Sequence, residues 1–151
     1  MMNIIYIDAQ NIHKSLEYYH WRKLDWVKFY RYSQERFDAN EVKIFFGYMK
    51  KYNCLYKKLE NIWYKLCFKE TMILPNSDTK WNVDIDIAIS ATKDYYEWIC
   101  KKWYLFTWDG DYNSLIYFWK DKCIFWELLI PWSKNSSKLL FKSAWSKIVD
   151  I

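Results

Sequence analysis

Two carboxylates stand one residue apart in Thr107-Trp108-Asp109-Gly110-Asp111-Tyr112. The apolar run before them, Tyr104-Leu105-Phe106, reads as a short buried strand. Ser114-Leu115-Ile116-Tyr117-Phe118 after them is apolar enough on one side to begin a packed helix. Like charges this close repel unless something cationic lies between them. At the carboxyl end of a strand in an α/β sheet, where ligands usually bind, that cation is often a hard metal. An ordinary Asp-Gly turn is the competing reading of the same residues.

Two further acidic positions have the same character. Asp8 ends the apolar segment Asn3-Ile4-Ile5-Tyr6-Ile7, with Asn11 three residues on. It can cap a helix, or it can be a metal-binding carboxylate at the tip of a first strand. Asp84 and Asp86 follow Lys80-Trp81-Asn82-Val83, where Asn82 reads as a helix cap. Acidic residues also suit a helix's first turn on dipole grounds alone. Two residues apart they point to different faces, so Asp84 is the preferred ligand and Asp86 the alternative. His13 and His20 are the only histidines and lack a second ligand at metal spacing, so both read as surface or helix-packing residues.

The elements that must position these residues alternate strand with helix. Strands are expected at 3–7, 42–48, 64–68, 104–106 and 123–130. Helices are expected from about 9 to 19, 24 to 36, 54 to 62, 82 to 97, from 114, and from 136. Leu74 to Lys80, with Pro75-Asn76-Ser77-Asp78, reads as a polar loop bordering the site. This alternation implies a three-layer α/β fold with a largely parallel sheet of about five strands.

At 151 residues the chain fits one domain with a sizeable core. A formal net charge of +5 is compatible with a polyanionic partner. Cys54, Cys67, Cys100 and Cys123 have neither zinc nor redox spacing and read as reduced, largely buried thiols of a cytosolic protein. No leader pattern and no run of membrane-spanning length is present, so a cytoplasmic location is expected. Two histidines without a nucleophile motif offer no Ser-His-Asp set, and no Gly-rich phosphate loop exists.

Three segments in this order resemble the NYN family of the PIN-like nuclease superfamily: Tyr6-Ile7-Asp8-Ala9-Gln10-Asn11, Lys80-Trp81-Asn82-Val83-Asp84-Ile85-Asp86, and Thr107 to Tyr112. The family shows an apolar strand ending in Asp with Asn shortly after, a Lys-Gly turn leading to Val-Asp at a helix start, and Ser-Gly-Asp-Gly-Asp-Phe. The resemblance covers nearly the whole chain and implies one PIN-like domain over 1–151, with an α/β/α fold. It makes Asp8, Asp84, Asp109 and Asp111 the catalytic acidic cluster, which with Asp86 would hold Mg²⁺ or Mn²⁺. It implies an endoribonuclease that hydrolyses phosphodiester bonds in RNA, with single-stranded RNA as the expected partner and a homodimer admitted. Asn11, Lys80, Thr107 and Asn113 are the expected substrate contacts. Many relatives carry a further Asp in the central helix where Ser90 aligns here, with Asp86 as the available substitute. That departure favours one alternative, a catalytically weak RNA-binding module on the same fold; the toxin of a toxin–antitoxin pair, a role that small PIN-like nucleases serve, is another.

Glycine and tryptophan are both out of proportion. Two glycines compare with about 11 from average usage, whereas tryptophan occurs 11 times. Trp81 and Trp108 stand where the family motifs have glycine. Trp63 falls at a helix-terminating position, and Trp132 follows Pro131 in a turn. UGA codons read as glycine in the source organism but translated here as tryptophan explain both counts. A genuine Trp108 would instead offer a base-stacking platform.

Overall fold

The computed structural model describes residues 1–10, 24–69, 72–73, 79–80, 82–130, 137–144 and 148–150. Strand β1, Met2–Asp8, is buried from Asn3 onward, so both its faces must be covered. Its pleat sends Ile4 and Tyr6 to one face and Ile5 and Ile7 to the other. Ile4 and Tyr6 join Val83, Ile87, Ala91, Trp103, Ile116, Trp119 and Leu140 in one core. Ile5 and Ile7 join Phe29, Phe37, Tyr56, Leu59 and Phe106 in the other. Two cores separated by one sheet make a three-layer α/β/α fold, as expected.

In chain order the helices and strands after β1 are α1 (Trp26–Phe37), β2 (Glu41–Gly47), α2 (Asn53–Asn61), β3 (Lys65–Lys69), β4 (Met72–Ile73), β5 (Thr79–Lys80), α3 (Asp84–Tyr96), β6 (Cys100–Phe106), α4 (Asn113–Asp121), β7 (Phe125–Ile130), α5 (Lys138–Ala144) and β8 (Ile148–Asp150). Six strands pair in the order β3-β2-β1-β6-β7-β8, all parallel. The expected five are present. The sixth, β8, is three residues long, too short to show a period. β4 and β5 form a separate antiparallel ribbon, so Thr79 and Lys80, the last two residues of the segment read from sequence as a loop, are strand instead. Positions 74–78 within that segment lie outside the described residues, as do Asn11, His13, His20 and the body of the expected first helix.

Caps place the helices where the sequence suggested, within a residue or two. The Asp25 side chain accepts hydrogen bonds from the amides of Val27 and Lys28 at 3.1 Å, starting α1. Asn82 Oδ1 accepts from the Asp84 amide at 2.8 Å, starting α3. The expected fifth strand begins at Phe125 rather than 123, because Cys123 takes φ 59° to end α4. Only Cys100 of the four cysteines is buried; Cys54 and Cys123 are exposed, so the expectation of largely buried thiols does not hold for them. No described helix is long and apolar enough to cross a membrane.

A buried polar network crosses the first core. Lys43 of β2 pairs with Asp94 of α3, and the Tyr6 hydroxyl donates to the same Asp94 oxygen, Oδ2, at 2.6 Å. Glu41 sits 3.3 Å from the Lys43 ammonium on its other side. Burial works against the charged form of Lys43, but the hydrogen bond and charge of Asp94, with those of Glu41, outweigh it and raise its pKa. Burial, with Cys100 and Asp94 adding, pushes the Tyr6 phenol far above its ordinary value. Both groups therefore hold their protons to higher pH in the fold than in the unfolded chain. Their stabilisation is full below about pH 10 and is lost as pH rises through the folded values.

Three helices end in the same motif. In α2 the Trp63 amide reaches Glu60 O at 2.9 Å and the Tyr64 amide reaches Leu59 O at 3.1 Å. In α3 the Trp98 and Ile99 amides repeat the pattern to Tyr95 O and Asp94 O, and in α4 those of Cys123 and Ile124 do so to Lys120 O and Trp119 O. These are Schellman ends, whose left-handed residue is usually glycine. Trp63 has φ 81° and is 81% exposed, while Trp98 has φ 57° and is 76% exposed. A bulky residue there carries a backbone penalty with little burial to offset it. Trp98, which the sequence pattern did not single out, thus joins Trp63 as a glycine-type position. Trp108 has no positive φ, and Trp81 and Trp132 lie outside the described residues.

Urea denaturation should show a stability plateau from pH 7 to about 9.5 and a fall above about pH 10. Lys43→Met, which strands a buried carboxylate, should cost about 3–5 kcal/mol at neutral pH; a variant as stable as the parent would contradict the network's role. Trp63→Gly and Trp98→Gly should each raise stability by about 1 kcal/mol. The gene should carry UGA at these two codons, and UGG at both would refute the recoding.

Candidate functional site

The site lies where the strand order changes direction. From β1 the chain moves to β2 on one side and returns through β6 on the other, which opens a crevice at the carboxyl ends of β1 and β6. Asp8 closes β1 and shares the face of Ile4 and Tyr6 by strand alternation, so it points toward the layer that holds α3 and α4. The chain leaves β6 at Phe106 and turns through Thr107, Trp108 and Asp109 on the same edge.

Local hydrogen bonds set the turn. Thr107 is fully buried, and its Oγ1 accepts from the Asp109 amide at 3.2 Å. Asp109 Oδ1 in turn accepts from the Asp111 amide at 3.1 Å, capping the 3₁₀ turn Gly110–Tyr112 that feeds α4. Gly110 is buried against the segment that begins α5. A Cβ at this position would lie 2.9 Å from Ser137 Cβ and closer still to its hydroxyl. The Ser137 amide donates to Trp108 O at 3.3 Å, so the turn is held from outside as well as from within.

Oxygens of Asp84, Asp109 and Asp111 all lie within 4.8 Å of one another. Asp84 comes from the first turn of α3, Asp109 and Asp111 from the turn after β6. Asp8, only 1% exposed, is joined to this group through Tyr112. The Tyr112 hydroxyl donates to Asp8 Oδ2 at 3.0 Å and lies under the influence of Asp84 as well. Burial first, then the charges of Asp8 and Asp84 and their hydrogen bonds, push the Tyr112 phenol far above its ordinary value. It remains a neutral donor between two carboxylates. A set of hard carboxylate oxygens with one member exposed could hold a hard cation.

Asp86 does not join the cluster. It pairs with Lys69 Nζ at 2.8 Å, and the same ammonium donates to Asn82 O at 2.7 Å. Two residues from Asp84 on a helix, it faces another direction, and its place as a metal ligand is corrected to one of docking α3 on β3. Thr107, expected to contact substrate, is corrected likewise: with no exposed surface it shapes the Asp109 turn. Asn113 opens α4 with its Oδ1 accepting from the Ser114 hydroxyl at 3.3 Å. Lys80 lies in β5, paired with Met72 of β4, and Asn11 is outside the described residues. Tyr112 was missed by sequence reasoning. The signal available was its hydroxyl, at a position where the resembled motif has Phe.

A cavity of about 570 Å³ at the opposite edge of the sheet is lined by Tyr30, Gln34, Glu41, Trp63, Tyr64 and Lys65, among others. Of its charged residues, Glu41, Glu60 and Lys65, the first and last are paired at 3.3 Å, so it presents no comparable cluster.

No family model matches the chain, and no curated protein matches it. Among solved structures it is similar to a crystal structure of a protein of unknown function from Vibrio parahaemolyticus, with TM-score 0.80 and 16% identity over 99% of this chain and 93% of that one. At that identity the likeness concerns the fold.

Gly110→Ala is expected to lower stability by about 1–3 kcal/mol through overpacking against Ser137. The measurement is urea denaturation beside the parent, and no loss of stability would contradict the close approach.

Proposed function

We propose that the chain is a metal-dependent endoribonuclease of the NYN, PIN-like kind, cutting single-stranded RNA. The convergence of Asp84, Asp109 and Asp111 within 4.8 Å at the switch point, with Asp8 tied in through Tyr112, carries this reading. Three segments distant in sequence supply these carboxylates, whereas a fortuitous Asp-Gly turn would need only one. The net charge of +5 favours a polyanionic partner, and four free cysteines fit a reducing, cytoplasmic setting.

Asp84, Asp109 and Asp111 would hold Mg²⁺ or Mn²⁺, with Asp8 beside them. A bound divalent cation lowers the pKa of its water to give a hydroxide nucleophile and neutralises charge growing on the phosphate. The chain's own part is positioning. Thr107 and the Asp111 amide fix Asp109, the cap at Asn82 starts α3 at Asp84, and Asp8 is kept out of bulk water. Asp111, the exposed member, is the carboxylate best placed to meet solvent and substrate.

One observation favours a second reading, a catalytically weak RNA-binding module. Asp86, the substitute for the Asp missing at Ser90, is engaged by Lys69, which leaves the cluster one carboxylate short of the resembled pattern. A single assay separates the two. Labelled single-stranded RNA should be cut with Mn²⁺ and not with chelator. Asp8→Asn and Asp109→Asn should each bring cleavage to background while circular dichroism stays at the parent's. Full activity in either variant refutes the assignment. RNA binding without cleavage by the parent selects the second reading, and neither activity would discard both.

A further inference from the structure

The Tyr112 hydroxyl is the polar atom of the cluster to which neither the turn nor the resembled motif assigns a role. The motif has Phe here, so the ring alone would satisfy packing, and the ring is indeed 2% exposed within the first core. The added oxygen is placed deep in that core, donating to Asp8 Oδ2 at 3.0 Å. A hydroxyl has one proton to give. Given to Oδ2, it restrains the rotation of the Asp8 carboxylate. Asp8 is 1% exposed, so water cannot easily replace this donor. Tyr112 also directly follows Asp111 and is three residues from Asp109, so the same side chain ties the turn after β6 to the end of β1.

From this geometry we infer that Tyr112 is a positioning residue of the divalent-cation site, holding Asp8 through its hydroxyl so that a cation meets a preset carboxylate. The inference rests on the metal-site reading above but not on RNA cleavage. Partners that orient ligating groups typically contribute 10–100-fold to metal affinity. Tyr112→Phe keeps the ring and removes only the oxygen.

The test is Mn²⁺ binding to the full chain by isothermal titration calorimetry, without RNA. Tyr112→Phe should bind Mn²⁺ about 10-fold more weakly than the parent. In an Asp8→Asn background the same substitution should cost clearly less affinity than in the parent, because the hydroxyl acts chiefly through Asp8 while also lying against Asp84. Parent-like affinity in Tyr112→Phe overturns the inference and leaves the nuclease reading standing. Equal losses in both backgrounds overturn it too, since they would mark a general structural effect. A parent that binds no Mn²⁺ overturns inference and metal-site reading together. If Tyr112→Phe does not fold, the parent's hydroxyl proton supplies the readout by nuclear magnetic resonance: its resonance should shift on saturation with Mg²⁺, and no shift would overturn the inference.

Discussion

The position of α3 against the sheet is the constraint on which the site depends, and two lysine–aspartate pairs set it. Lys43 of β2 holds Asp94 in the interior, and Lys69 of β3 holds Asp86 near the helix start. Asp86 and Asp94 are eight residues apart, so they lie within about 80° of one another on the helix surface. Asp94 lies between the other two, so Asp84 is about 80° from Asp94 on its far side and about 160° from Asp86. With one side committed to β2 and β3, Asp84 is left facing the turn after β6. A slip of one residue would rotate the helix by about 100° and carry Asp84 out of reach of Asp109. The two pairs differ in kind. Lys69–Asp86 is partly exposed and contributes little energy, whereas Lys43–Asp94 is buried and costly to break from one side. The inner pair therefore secures the register, and Tyr6, donating to Asp94 from the central strand, ties the third element into it.

The outer ends of the acidic cluster are held by different means. On the β6 side the turn is locked by main-chain donors, one into Thr107 and one into Asp109, which need no neighbouring element. On the β1 side Asp8 belongs to a strand buried on both faces and accepts from a side chain more than a hundred residues away in sequence. The first arrangement is local and quickly formed. The second exists only when β1, β6 and α4 are assembled, so formation of the whole site follows assembly of the central sheet.

Much of this was legible in the sequence because it follows from local pattern. Apolar runs gave β1, β2, β3, β6 and β7, Asn82 announced α3, and Asp8, Asp84, Asp109 and Asp111 announced themselves by standing at strand ends or a helix start. What was not legible depends on partners. The sequence ranks Asp84 above Asp86 without excluding the latter, and it is the ammonium of Lys69 that takes Asp86 out of the cluster. Thr107 looks available beside two aspartates, yet full burial gives its hydroxyl to the backbone. β8 is too short to show a period, and its pairing with β7 is a property of the sheet edge. The deficit of glycine was visible as a count, but which tryptophans occupy glycine-type backbone required φ, and that selects Trp63 and Trp98 while leaving Trp108 with ordinary backbone.

The charge distribution adds a further step. The chain is positive overall, which draws a polyanion toward it at long range. The crevice itself is negative, with Asp8, Asp84, Asp109 and Asp111 close around one hydroxyl and one turn. An RNA phosphate brought to that crevice meets like charge at short range, where screening by salt is weakest. Attraction of the whole and repulsion at the cleft are reconciled, on the proposed function, by a cation between carboxylates and phosphate. On the proposed function that cation has two duties, to cancel the cluster's charge and to activate water, and the first is required before any chemistry begins. A protein that bound RNA without a cation would have to do so away from the four aspartates, on its basic surface, and removing their charge would then strengthen binding rather than weaken it.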